Sequence, residues 1–362
     1  MSFETGQHIG PYRIVEQLGQ GGMATVYKAY HENLDRYVAV KVLHAAFKQE
    51  SNFLERFRRE AKLVARLEHP SIVPVYDFDE YEGNPYLVMR FVEGETLKAR
   101  RQKGPIPIEQ VMQIVTGVGE ALAYAHERGI LHRDIKPSNI MLSEEDDKAF
   151  LTDFGLARMA EASESTISRD MMMGTPQYIS PEQAKGEREL DPGTDIYSLG
   201  VVIYELIVGR VPFSADTPYA IVHDHIFTPL PMPREVNPQV PEPVERFLLK
   251  TLAKNRRDRY ASVVEMVEAF RAAIAEAGIE AVEAASRVAP RPAIPQVDAL
   301  DPDATPPPME VAVGPPVVAP PKPAPPPTPP PTPRSTPTTP LPTRAAPPIT
   351  GRQRARIRRR QQ

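Results

Sequence analysis

The distribution of proline limits this chain more than any other feature. Of its 42 prolines, 24 fall between Pro290 and Pro348. A segment so rich in proline, and so poor in large apolar side chains, builds neither helix nor sheet nor packed core. Its expected form is extended polyproline II and disorder. Folding is left to what precedes it, and the chain divides into a folded region 1–278, a Pro-rich disordered linker 279–350 and a basic end 351–362. The folded region is long enough to bury a sizeable core. Cysteine is absent, which excludes a disulfide scaffold, cysteine-ligated zinc and thiol catalysis.

Charge follows the same division. After Glu310 there is no acidic residue, only Lys322 and eight arginines, so residues 1–310 carry 34 basic against 47 acidic groups, a net charge of −13. An acidic globular region argues against a specific nucleic-acid partner. The basic end, with six arginines from Arg352 to Arg360, suits an anionic membrane surface, and the proline run suits a Pro-binding partner. The opening Met-Ser-Phe-Glu-Thr-Gly-Gln-His has neither the basic nor the apolar stretch of a secretory signal, so the expected location is cytoplasmic, with membrane association through the basic end as the alternative. The longest apolar run, Leu199 to Gly209, contains Glu205 and is too short for a bilayer, so it reads as a buried core helix.

Between Tyr12 and about Leu97 the pattern is mostly strand, in β-branched and aromatic runs such as Arg36-Tyr37-Val38-Ala39-Val40-Lys41-Val42-Leu43. One helix interrupts it between Asn52 and Leu67, with Phe53, Phe57, Val64 and Leu67 at helical spacing and Glu60 on the same stripe. From Ile108 the pattern is helical, with Ile108, Val111, Val115, Val118 and Leu122 on one face and Gly129 where a left-handed turn ends the helix. Further helices are expected at 195–208, 218–226, 242–253 and 262–276, and residues 279–289 either continue the last one or fray.

Three segments carry chemistry. Gly19-Gln20-Gly21-Gly22-Met23-Ala24-Thr25-Val26 lies between two expected strands, where glycine lets backbone approach a phosphate. Because a strand follows it, a dinucleotide-binding fold is disfavoured, and alone it reads equally as a plain hairpin turn. On the next strand the period of two puts Ala39 and Lys41 on one face and Val38, Val40 and Val42 on the other. Lys41 alone reads as a strand-edge lysine; paired with Glu60, 19 residues on, it reads as a lysine that holds two phosphates and is itself held by the carboxylate. The decisive segment is His132-Arg133-Asp134-Ile135-Lys136-Pro137-Ser138-Asn139, followed 19 residues after Asp134 by Asp153-Phe154-Gly155.

With these segments in order, and with Leu18–Tyr27, Gly174–Gln183 and Asp195–Val201 beside them, the chain from Tyr12 to about Ala277 resembles the eukaryotic-like protein serine/threonine kinases of bacteria. The resemblance implies an α+β, bilobal protein-kinase fold with a β-rich N-lobe over about 12–92, carrying one regulatory helix, and a helical C-lobe over about 93–278. It implies ATP with Mg2+, or Mn2+ in its place, and transfer of the γ-phosphoryl group to Ser/Thr hydroxyls of protein substrates. Asp134 would accept or orient the hydroxyl proton and Lys136 would neutralise the transferred group, with Lys41 and Glu60 as the remaining catalytic pair. Asn139 and Asp153 would hold the metal with hard oxygens. Leu18, Gly19, Gly21 and Gly22 would cover the nucleotide, Val26, Ala39 and Met141 would sandwich the adenine, Met89 would be the gatekeeper, and Arg90, Phe91 and Val92 the hinge. Each of these apolar residues also reads as plain core.

The chain departs from the family pattern at Ala24, the third glycine position, at Arg90, where an acid is usual, and at Ser180-Pro181-Glu182, where alanine usually comes first. None of these removes a group that does chemistry. Glu182 is expected to meet Arg259 as a buried ion pair. A scaffold lacking catalysis would be marked by loss of Lys41, Asp134 or Asp153, and all three are present; the complete segment from Asp153 to Glu182 disfavours a small-molecule kinase. Arg133 calls for an anionic partner; of the acceptors Ser163, Ser165, Thr166 and Ser168, the resemblance implies Thr166 and Ser168 as the regulatory phosphosites, with Asp170, Glu161 and Glu164 as an acidic alternative. Pairing of two copies through the N-lobe is a further implication of the resemblance.

Overall fold

The computed structural model describes residues 3–22, 24–44, 53–154 and 176–288. Six strands form one antiparallel sheet: β1 His8–Ile9, β2 Tyr12–Gln20, β3 Ala24–His31, β4 Arg36–Leu43, β5 Val75–Tyr81 and β6 Asn84–Arg90, in the order β1-β2-β3-β4-β6-β5. The alternation along β4 fixes what each face carries. Val38, Val40 and Val42 pack with Tyr27, Tyr86 and Val88 on one side. Ala39 and Leu43 join Leu87 and Met89 on the other, against Phe57 and Ala61 of helix α1, Phe53–Val64. Full burial of a phenylalanine such as Phe57 contributes about 2–3 kcal/mol, enough to dock a helix whose own sequence is strongly polar.

A second sheet, β7 Gly94–Thr96, β8 Ile140–Ser143 and β9 Ala149–Leu151, brackets the His132–Asn139 segment. Gly94 has φ 151°, and a side chain there would collide with the carbonyl of Leu142, so the β7–β8 approach requires glycine. The helices are α2 Leu97–Gln102, α3 Ile108–His126, α4 Pro181–Ala184, α5 Gly193–Val208, α6 Pro218–Phe227, α7 Pro233–Val236, α8 Glu242–Thr251, α9 Val263–Ala277 and α10 Ile279–Val288. The expected apolar face of α3 is fully buried, and the chain leaves it through Gly129 at φ 71°. Helix α5 is buried all round, as its unbroken apolar run requires, and Gly200 lets Thr251 of α8 reach its backbone. Among the described residues no helix is long and apolar enough to cross a membrane.

Helical structure continues past Gly278, one of the two expectations for residues 279–289. Gly278 breaks the helix at φ 82°, and Ile279–Val288 forms α10, which packs on α3, α5 and α9. Val282 and Ala285 are fully buried. Helix α3 opens behind Pro107, which has no side-chain acceptor to offer, and Glu283 Oε2 accepts the Ile108 N–H at 2.7 Å instead. Asn237 Nδ2 donates to the Ala285 carbonyl at 2.9 Å. The remaining linker and the basic end lie outside the described residues.

Candidate active site

The segment between α3 and β8 is held from below by one carboxylate. Asp195, in the first turn of α5 and wholly buried, accepts the His132 N–H through Oδ2 at 2.9 Å and the Arg133 N–H through Oδ1 at 2.7 Å. His126 Nε2 lies 2.8 Å from Oδ2. Burial alone would raise this carboxyl, but the bond and charge of His126, with His132 and the Arg133 N–H, outweigh it and keep Asp195 below the usual range. The two backbone bonds also stabilise Arg133 at φ 66°, a left-handed conformation that costs a side-chain-bearing residue about 1–2 kcal/mol.

His132 extends the support upward. Its ring is fully buried, which lowers its basicity and leaves it neutral. The Thr152 carbonyl, 2.8 Å from Nε2, can only accept, so Nε2 carries the proton and Nδ1 accepts the Asp134 N–H at 3.2 Å. Asp134 is thus placed by its backbone before its side chain makes any contact. Its Oδ2 meets Lys136 Nζ at 2.8 Å and Asn139 Nδ2 at 2.9 Å, and Asn139 Nδ2 also reaches the Asp134 carbonyl at 2.8 Å. The amide nitrogen being committed, the oxygen of Asn139 is the atom left for a hard cation.

From the strand side, Lys41 Nζ meets Asp153 Oδ1 at 2.7 Å. Burial raises the Asp153 carboxyl, and Lys41 first, then Lys136 and His132, more than reverse this, so it stays ionised. The expected pairing of Lys41 with Glu60 is not made: among the described residues no ion pair joins them. The reason is proximity, since the sheltered Asp153 carboxylate takes the lysine while Glu60 stays half-buried on α1. A narrow cavity lined by Ala61, Val64, Met89 and Phe154 separates α1 from Asp153.

The remaining expected residues gather above. Leu18 and Gly19 end β2 and Gly21 and Gly22 form the β2–β3 turn, all four exposed, with the turn closed by a Gly21 N–H to Ala24 carbonyl bond of 2.9 Å. Ala39, Met89 and Val92 are buried in one apolar cluster with Val26 and Met141 packed against it. The Arg90 N–H binds the Pro74 carbonyl at 3.0 Å while its exposed side chain lies over Phe150. Thr166 and Ser168 lie outside the described residues. Glu182 and Arg259 form the expected buried pair through two bonds of 2.8 and 2.9 Å, with Thr194 Oγ1 donating at 2.9 Å. Gln183 Nε2 donates to the Arg133 carbonyl at 2.7 Å, tying this segment to Asp134's neighbour.

Lys41 with Asp153, from the strand side, therefore meets Asp134 with Asn139, from the helical side, through the Thr152 N–H on the Asn139 carbonyl at 3.0 Å. The family model described as protein kinase domain matches residues 12–270. The chain belongs to the protein kinase family. The kinase is 42% identical over 261 residues to the serine/threonine-protein kinase PknB of Mycobacterium leprae, covering 70% of this chain and 42% of that protein. It is 39% identical over 258 residues to the probable serine/threonine-protein kinase PknB of Lactococcus lactis, covering 71% and 41%. It spans about two fifths of the length of these curated relatives. Among solved structures, the PknI kinase domain of Mycobacterium tuberculosis superposes with a TM-score of 0.61 at 29% identity, over 75% of this chain and 100% of that domain.

Two polar centres of the kinase escaped sequence reasoning. One is Asp195; its signal was an acid in the first turn of an otherwise apolar helix, which must find donors once buried. The other is Glu205, which is buried on α5 and joins Arg101 of α2 to the Tyr178 hydroxyl, the latter at 2.6 Å. Its acid broke the same apolar run and announced it in the same way.

Proposed function

We propose that this kinase transfers the γ-phosphoryl group of ATP, bound with a divalent cation, to serine and threonine hydroxyls of proteins. The observation that carries this reading is that two contact groups, Lys41 with Asp153 and Asp134 with Lys136 and Asn139, are joined by the Thr152 N–H on the Asn139 carbonyl at 3.0 Å. The nucleotide supplies the phosphoryl group and the cation supplies charge neutralisation. Asp134, fixed by His132 and Asn139, takes or orients the proton of the acceptor hydroxyl, and Lys136 offsets charge on the transferred group. Asn139 and Asp153 present hard oxygens that fit Mg2+ or Mn2+. With a cation held by Asp153 and Asn139, Lys41 would be free to bind phosphate oxygens and Glu60 would be placed to pair with it. Val26, Ala39, Met89 and Met141 enclose the base, and the backbone of Arg90 and Val92 reads its edge.

Labelled-phosphate transfer from ATP to myelin basic protein tests this, with Asp134→Asn as control. Transfer by the wild type and its loss in the variant are expected; equal transfer by both would remove the assignment. Autophosphorylation at Thr166 and Ser168 belongs to the same reading, and mass mapping of the purified chain beside Asp134→Asn tests it. For the basic end, co-sedimentation with anionic vesicles at low salt, comparing the full chain with one ending at Val288, separates a membrane-surface element from a solvated tail.

A further inference from the structure

His225 lies on α6 with no exposed surface, yet it spends its polarity on two partners from other elements. Nε2 is 3.1 Å from the Gln177 carbonyl and Nδ1 is 2.9 Å from the Tyr197 hydroxyl. Burial, with Lys254 close by, pushes the imidazole down to about 3, so the ring is neutral and carries a single N–H. A carbonyl can only accept, so that N–H is on Nε2, and Nδ1 accepts from Tyr197. The ring also sits edge-on to Phe213 and Tyr197, with centroids at 5.0 and 5.7 Å. A phenylalanine would fill the same space, so packing does not account for the imidazole.

Gln177 belongs to the turn Pro176–Tyr178, and the segment it opens is the one that Gln183 fastens to the carbonyl of Arg133, next to Asp134. Ser198 Oγ donates to the Tyr178 carbonyl at 2.7 Å, and the Tyr178 hydroxyl is held by Glu205. The segment is thus clamped to α5 from Tyr178 and Glu182 onward, while at Gln177 its clamp comes from α6. The far side of that clamp is itself secured, because Lys254 Nζ donates to the carbonyls of Asp224 and His225 at 2.9 and 2.8 Å.

We propose that His225 is a positioning residue for the protein acceptor: its N–H on the Gln177 carbonyl sets the wall beside Asp134 against which the acceptor chain must lie. It touches neither ATP nor the reacting atoms. The inference rests on the reading of function above, and it concerns one of the two substrates only.

The test uses the full chain with His225→Phe, which keeps the ring packing and deletes both hydrogen bonds, and His225→Gln, whose amide restores a donor near the position of Nε2. KM for myelin basic protein, KM for ATP and acceptor-independent ATP hydrolysis are measured for each. H225F is expected to raise the acceptor KM by ~10-fold, the effect of one lost buried hydrogen bond, with ATP KM and hydrolysis within about twofold of wild type. H225Q is expected to recover most of the acceptor KM. An unchanged acceptor KM in folded H225F overturns the inference, as does a parallel loss of hydrolysis and transfer that H225Q does not restore. If H225F does not fold, Tyr197→Phe, which keeps the Gln177 bond but deletes the hydroxyl that holds the ring at Nδ1, is expected to raise the acceptor KM selectively by a smaller factor, and an unchanged value overturns the inference. Wild-type chain that hydrolyses ATP yet modifies no protein overturns the reading of function as well; wild-type transfer matched by H225F overturns this inference alone.

Discussion

On the helical side of the cleft, Asp195 engages three nitrogen groups and Glu182 takes both terminal nitrogens of Arg259, whereas on the strand side Lys41 has, among the described residues, Asp153 as its ion-pair partner and the glycine turn is closed by a Gly21 N–H on the Ala24 carbonyl. The difference follows from where the charges lie. A carboxylate buried in the helical core loses its hydration entirely and is stable only with several donors in fixed places, which in turn fixes the loop bearing Asp134. Lys41 sits at the edge of the cleft, where part of its hydration survives, so it can change partner at small cost. The side bearing Asp134 is built rigid, and the side bearing Lys41 is built to exchange contacts.

The sharpest way to break this comparison is to remove a donor on the rigid side. Arg259→Met leaves Glu182 buried with an uncompensated charge, and also frees the carbonyls of Gly193, Ala253 and Lys254. Its expected cost is about 3–5 kcal/mol in urea unfolding, against under about 1 kcal/mol for Lys41→Met on the adaptable side. Equal costs would mean that the two sides are held alike.

Next in size is the effect on catalysis. Asp134→Asn, Lys41→Met and Asp153→Asn are each expected to lower phosphoryl transfer by ~100-fold or more, with Asp134→Asn unfolding at nearly the wild-type temperature. Asp195→Asn is the contrasting probe: it touches no substrate, and it is expected to lower both transfer and stability. Loss of stability without loss of transfer in Asp195→Asn would show that the rigid support is not what holds Asp134.

A smaller effect is expected at the far end of α3. A chain ending at Gly278 loses the buried Val282 and Ala285 and the Glu283 acceptor for Ile108, and is expected to be about 2–3 kcal/mol less stable than one ending at Val288. Calorimetry of the two checks it.

The smallest expected effect is one of pH. His225 is held near 3 in the folded chain against about 6.5 when unfolded, so below pH 6.5 the unfolded state binds the proton first. Stability from this group is complete above pH 6.5 and is lost progressively as pH falls toward 3. His225→Phe removes that part of the acid sensitivity, and a difference in unfolding free energy between the two chains that does not change from pH 7 to pH 5 would contradict it.

Local pattern made much of this legible. The Ala39/Lys41 face, the apolar stripe of α3 and the run that became α5 were readable because a strand or helix repeats its contacts every two or 3.6 residues. The spacing from Asp134 to Asn139 and Asp153 was readable because those residues lie close in sequence or in a fixed loop order. Other features were not. Glu283 caps a helix 175 residues away, His225 reaches Gln177 from 48 residues away, and Lys41 chose Asp153 over Glu60. Helix α10 was left open in the sequence, where residues 279–289 read either as a continued helix or as a frayed end, and the docking of Val282 and Ala285 is what makes it part of the packed helices.

Sequence by itself therefore determined the order of a β-rich and a helical lobe through local periodicity, while the kinase fold and the groups at the cleft followed from the resemblance its ordered motifs carry. Tertiary structure alone decided which buried donors and acceptors satisfy one another, as with Asp195 under His132 and Arg133. The physical reason is that a hydrogen bond is directional and acts over about 3 Å, so its partner is fixed by the folded path of the chain and not by distance along it.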